Sequence, residues 1–203
     1  MMRLVLGMVM LTVLAACGGR ADLDEPPVPL GDFRLEYNIV IASKAQRGPL
    51  SRKATEEQLA EAVRSAMAER FDRYQGNSIY HFGISVEGYV LAQPGIPLIL
   101  APKSALILNV TVYDDAAGKK LNEEPEQITV LETFGTAPII GTGYTKNAEE
   151  QLKELSQNAA KAVERYLVRQ QNTEGWFAPD PLDPFGPLDA PVHPPETELP
   201  ATN

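Results

Sequence analysis

Apolar and polar positions alternate along FRLEYNIVIA at 33–42, with Phe33, Leu35, Tyr37, Ile39 and Ile41 on one side and Arg34, Glu36 and Asn38 on the other. A period of two with one polar side predicts a strand that has one face on a core and one in water. Gly48-Pro49 breaks the pattern. The spacing then becomes helical, with Leu59, Val63, Met67, Phe71 and Tyr74 on one face and Ala62 and Ala66 beside them. Thr55, three residues before Gln58, supplies a capping box at the start of this helix, and Gly76 suits its end.

Alternation returns at Tyr80, Phe82, Ile84 and Val86, then slips so that Tyr89 and Leu91 take the apolar positions. A bulge at Gly88 repairs such a slip, which would otherwise turn every later side chain to the opposite face. SALILNVTVYDD at 104–115 predicts a strand with Leu106, Leu108, Val110 and Val112 inward, followed by a turn in which Gly118 takes a positive φ. QITVLETF at 127–134 reads as the returning strand, with Ile128, Val130 and Phe134 on one face, and 138–140 as its extension or a short edge. A second helix is expected over 145–170, with a stripe of Leu152, Leu155, Ala159, Ala162, Val163, Tyr166 and Leu167. Asn147 and Glu150 mark its start, and Lys161, Arg165 and Arg169 suit the negative end of its dipole. The order β-α-β-β-β-α predicts an α+β, two-layer sandwich, in which an antiparallel or mixed sheet carries both amphipathic helices on one face.

The chain opens differently. Arg3 precedes an apolar run of 11 residues, Leu4 to Leu14, too short for the ~20 that a membrane-spanning helix needs. A short basic region, a short apolar region and small residues before a boundary describe a secretory signal. Leu14-Ala15-Ala16-Cys17 also resembles the bacterial lipobox, which implies cleavage after residue 16 and acylation of Cys17. Cys17 is the only cysteine, so no disulfide accounts for it. Two or more acyl chains anchor a protein stably where one does not. Gly18 is not the Asp of an inner-membrane retention signal, so the periplasmic face of the outer membrane is the expected location.

Charge narrows the partners. Removing residues 1–16 takes one cation, leaving 17 against 27 anions, a net charge of −10. That balance counts against nucleic acid, whose phosphates are neutralised by Lys and Arg, and leaves the acyl chains to do the anchoring. Residues 17–32 read as a flexible tether and 33–175 as one domain. Residues 176–203 hold eight prolines and five acids with no Lys or Arg, and are expected to form a disordered tail, inert or a docking peptide.

No catalytic constellation stands out. Gly141-Thr142-Gly143 lacks the third glycine of a dinucleotide loop, since position 146 is Lys. Asp114-Asp115 reads as turn chemistry, His81 as a residue on a strand's wet side, and His193 lies in the tail, so neither a metal site nor a cofactor is expected. Glu149, Glu150 and Glu154 read as a solvated helix face. One segment resists a bland account: between Pro97 and Pro102 lie Leu98, Ile99 and Leu100. With Ile96, Leu98 and Leu100 form either part of the core or an exposed ridge for a partner.

The stretches LILAPKSALILNVTVYDDAAGKKLNEEPEQITVLE and GTGYTKNAEEQLKELSQNAAKAVERYL resemble an uncharacterised family of alphaproteobacterial lipoproteins, over about residues 33–172. The resemblance implies no activity and no catalytic residue. The element order is also similar, more distantly, to small outer-membrane lipoproteins that assist assembly or transport. The expectation is a lipid-anchored, non-enzymatic envelope protein that binds a transport or assembly partner. A binder of a small apolar ligand or lipid is the alternative, and an enzyme with an unrecognised site comes third.

Overall fold

The computed structural model describes residues 22–93, 104–132 and 147–178. Within them lie β1 (Arg34–Ile41), β2 (Gln46–Arg47), α1 (Glu56–Phe71), β3 (Ile79–Val90), β4 (Ala105–Asp114), β5 (Lys119–Lys120), β6 (Glu126–Leu131) and α2 (Ala148–Glu174). Both helices start on the expected capping boxes. The Thr55 hydroxyl accepts from the Gln58 amide at 3.2 Å, and the Asn147 side chain accepts from the Glu150 amide at 2.8 Å. In each, the third helical side chain reaches back to the cap residue's own amide, so two orphan donors are satisfied together.

β3 and β4 form the centre of one mixed, open sheet. β1 and β2 lie along one side of β3, parallel to it, and β6 and β5 lie along the far side of β4, antiparallel. The helix between β1 and β3 is the crossover that a parallel pair requires. Its inner face carries both helices, giving the two-layer α+β sandwich. Leu106, Leu108, Val110 and Val112 of β4 face them with no solvent exposure. Between Val86 and Gly88 the β3–β4 register shifts by one residue, and Tyr89 and Leu91 stay buried as the slipped pattern requires. Gly118 turns the β4–β5 hairpin at φ 60°.

A second register shift was not visible in the alternation. β1 slips between Leu35 and Tyr37. Phe33 is fully buried and Leu35 packs against the core, but past the slip Val40 and Ala42 point inward. Tyr37, Ile39 and Ile41, expected inside, are instead 60%, 62% and 49% exposed on the outer face. The physical reason is one extra residue, Glu36, with no partner in β3.

The folded unit is wider than 33–175. Leu30 and Phe33 are buried at one end and Phe177 at the other. The rings of Phe33 and Tyr80 stack with centroids 5.4 Å apart, and Phe177 meets Phe33 edge-on at 4.9 Å. Burial pushes the Tyr80 hydroxyl up to about 12, and the charges of Asp114 and Asp32 act in the same direction. The Asp32 amide donates to the Phe177 carbonyl at 2.9 Å, joining the two ends of the unit. Residues 22–32 and 176–178 therefore belong to the domain rather than to a tether and a tail.

Two smaller expectations also change. α1 ends at Phe71 on Asp72, so Gly76 is not its cap. Gly76 instead meets the strand start, where a Cβ would lie 2.3 Å from the Phe33 nitrogen. α2 continues to Glu174 and stops on Gly175 at φ 65°, which leaves Lys161, Arg165 and Arg169 short of its last turn. Phe134, residues 138–140, Gly141-Thr142-Gly143 and His193 lie outside the described residues.

The register shift makes a sharp contrast. Phe33→Ala should cost about 3–5 kcal/mol in urea unfolding of the mature protein. Ile39→Ala should stay within about 0.5 kcal/mol, as for other exposed positions.

Candidate functional site

Among the described residues, the two most deeply buried charged side chains lie in the apolar stripes of different helices. Arg70 on α1 is 1% exposed and Glu164 on α2 is 4% exposed. At 3.6 residues per turn, position 70 shares a face with Val63 and Met67, and position 164 follows Ala160 and adjoins Val163 and Leu167. An isolated charge there would be prohibitive, so each depends on the other. The Arg70 guanidinium donates to Glu164 Oε2 at 2.7 Å, and the Tyr74 hydroxyl donates to Glu164 Oε1 at 2.8 Å.

The second side of the guanidinium is taken by the N-terminal segment. Arg70 donates through both terminal nitrogens to Asp22, at 3.0 and 3.2 Å, a two-point contact that fixes orientation as well as distance. Lys161 Nζ reaches the same carboxylate at 3.2 Å. Arg73 donates to the carbonyls of Leu23 and Glu25, at 2.8 and 2.9 Å, and the Tyr74 hydroxyl lies 3.0 Å from the Val28 carbonyl. Residues 22–30 thus form a strap laid over the end of α1 and the middle of α2.

Ionisation follows this geometry. Hydrogen bonding to Arg70 holds the Asp22 carboxyl far below its ordinary 3.8, against the opposing effect of burial. Burial would lower the Arg70 guanidinium, but Asp22 and Glu164 outweigh it and hold it above its ordinary value. Burial first, and then the bond to Glu164, push the Tyr74 hydroxyl far above its usual range. Asp22 and Arg70 are held in their charged forms and Tyr74 in its neutral one, and their hydrogen bonds close the cluster. Its chemistry is that of a clamp.

A separate groove of about 730 Å³ runs along most of α1 and the N-terminal part of α2. Ala62, Ala66, Leu91 and Leu152 supply apolar lining, and Lys53 and Glu57 supply charge. On the outer sheet face, His81 accepts from the Tyr37 amide at 3.2 Å and pairs with Asp115 at 3.0 Å. Asp114 accepts from the Ala117 amide, which is turn chemistry as expected. Glu149 and Glu150 are exposed. Among the described residues, no helix is long and apolar enough to cross a membrane.

Cys17 and Ile96, Leu98 and Leu100 lie outside the described residues. The clamp was missed by sequence reasoning, although a signal existed. Arg70 and Glu164 are opposite charges at apolar-stripe positions of two helices, and neither position suits a charge without a partner.

No protein-family model matches the sequence, and no curated protein matches it. Among solved structures the chain is similar to protein XCC0632 from Xanthomonas campestris, described under family-model DUF330. That match has 14% identity and a TM-score of 0.43, and covers 73% of this chain and 94% of the other. It is also similar to PelC from Paraburkholderia phytofirmans, crystallised as a dodecamer, at 9% identity and a TM-score of 0.37, over 68% of this chain and 89% of that one. A minor lipoprotein from Acinetobacter baumannii matches at 16% identity and a TM-score of 0.26, over 67% and 94% of the two chains. None of them lends a residue or an activity to this protein.

Arg70→Met should destabilise by about 3–5 kcal/mol, because buried Glu164 loses its 2.7 Å partner and keeps only the more distant Arg73, at 3.9 Å. Adding Glu164→Leu should recover most of that loss, read as urea midpoints. The Asp22 contact has its own pH signature. A carboxylate depressed by folding stabilises fully above its ordinary 3.8 and loses that contribution as pH falls through the lower folded value. The stability difference between wild type and Asp22→Asn should therefore be constant from neutral pH down towards 3.8, shrink steadily as pH falls from there to the lower folded value, and be gone below it.

Proposed function

We propose that this chain is a lipid-anchored, non-enzymatic protein of the outer membrane's periplasmic face that binds another envelope component in transport or assembly. The observation that carries the reading is Leu14-Ala15-Ala16-Cys17, a lipobox behind an apolar run of 11 residues. The resemblance to uncharacterised alphaproteobacterial lipoproteins supports it. So does the outer-face row of Tyr37, Ile39 and Ile41 on a strand at the sheet's edge, an apolar surface of the kind that partners cover. Ile96, Leu98 and Leu100 are candidate contributors to the same contact.

A second reading has its own support. The interhelical groove has the size and mixed lining of small-molecule sites, which favours an apolar ligand or lipid. Crosslinking in intact cells, followed by mass spectrometry, separates the two. A stoichiometric envelope protein supports the first, and co-purified lipid without a protein partner overturns it. For the anchor itself, palmitate label should incorporate into wild type and vanish in Cys17→Ala. Label that persists in the variant overturns the assignment.

A further inference from the structure

The strap shortens the connection between anchor and domain. Only Gly18, Gly19, Arg20 and Ala21 separate Cys17 from Asp22, which makes five residue steps. At ~3.3–3.6 Å per residue, five steps reach at most about 18 Å. A tether over 17–32 would have reached about 55 Å at the same rise, enough for any orientation. Docking of residues 22–30 removes most of that freedom.

The attachment point also has a definite side. Lys161, which holds the Asp22 carboxylate at 3.2 Å, is two residues from both Ala159 and Val163 of the buried stripe. At ~100° per residue that places it on the opposite side of α2, away from the sheet. Asp22 is therefore held at the outer surface of the helix layer. From there to the outer face of the sheet is roughly 20 Å, from a helix diameter of ~10–12 Å and a layer spacing of ~10 Å. The leash is shorter than the sandwich is thick.

We propose that the outer surface of the α1–α2 layer around Asp22 is the face that lies against the phospholipid bilayer. The outer sheet face, with Tyr37, Ile39 and Ile41, then points away from the membrane. The proposal rests on the reading of Cys17 as the acylated first residue of the mature protein. Charge does not hold this surface down, since Lys161 is already paired with Asp22 and Arg73 with the carbonyls of Leu23 and Glu25. The covalent leash does. Neutral headgroups would serve as well as anionic ones.

Because Cys17 is the only cysteine and its sulfur is consumed by the lipid, one introduced cysteine can be labelled alone. Arg165→Cys places a probe on the outer helix surface, one turn beyond Lys161, and Thr129→Cys places one on the outer sheet face. Each labelled, lipidated mature protein is reconstituted on phosphatidylethanolamine–phosphatidylglycerol vesicles containing a paramagnetic nickel-chelating lipid. Relaxation of the probe should be several-fold stronger at 165 than at 129. In Asp22→Ala with Arg73→Ala, which removes the strap's bonds to Arg70, Lys161 and Arg73, the difference should shrink. Flotation with the vesicles, read on the same samples, separates the two levels of the argument. Protein that does not float overturns the anchor reading and the orientation with it. Protein that floats but relaxes equally at both positions overturns the orientation alone.

Discussion

The Arg70 guanidinium is the point on which the helix layer and the N-terminal strap both turn. It sits 1% exposed between a buried carboxylate on α2 and a half-buried one on the strap. Buried ion pairs add little net stability when compared with apolar packing, but they tolerate few alternative arrangements. That intolerance matters here. α1 must end where Arg70 can meet Glu164, α2 must pass at the matching height, and the strap must bring Asp22 to the remaining donors. The aromatic cluster around Phe33 supplies bulk stabilisation, and the clamp supplies position.

The sequence pattern was a good guide wherever a face was decided by local period. β3, β4, β6 and both helices follow it closely, and even the Gly88 slip was legible because apolar residues resumed on the other parity. β1 was not legible for the opposite reason. Tyr37, Ile39 and Ile41 continue the parity of Phe33 and Leu35, so the shift at Glu36 leaves no mark in the alternation. Only pairing with β3, and the inward demand of Val40 and Ala42, reveal it. Residues 22–30 escaped notice because a strap without period has no periodic signature. Prolines at 26, 27 and 29 look alike in a tether and in a segment pinned by backbone carbonyls.

Function was legible at a different level. The lipobox-like stretch speaks of address, and the clamp of one arginine, two carboxylates and a tyrosine holds geometry. The lipobox cysteine and the clamp's Asp22 lie five residues apart in the chain. On the proposed reading the two together mount the domain in one pose, with its outer sheet face turned towards partners.

The Asp32–Phe177 bond has a consequence in time as well as in space. Asp22 finds its partners 48 and 139 residues later, at Arg70 and Lys161, and Asp32 finds its own at residue 177. Arg70, Arg73 and Tyr74 can hold the strap as soon as α1 forms. The bonds to Lys161 and Phe177 close only when α2 is complete. The two ends of the domain are thus joined across 145 residues, and the loop they close is long-range in the chain.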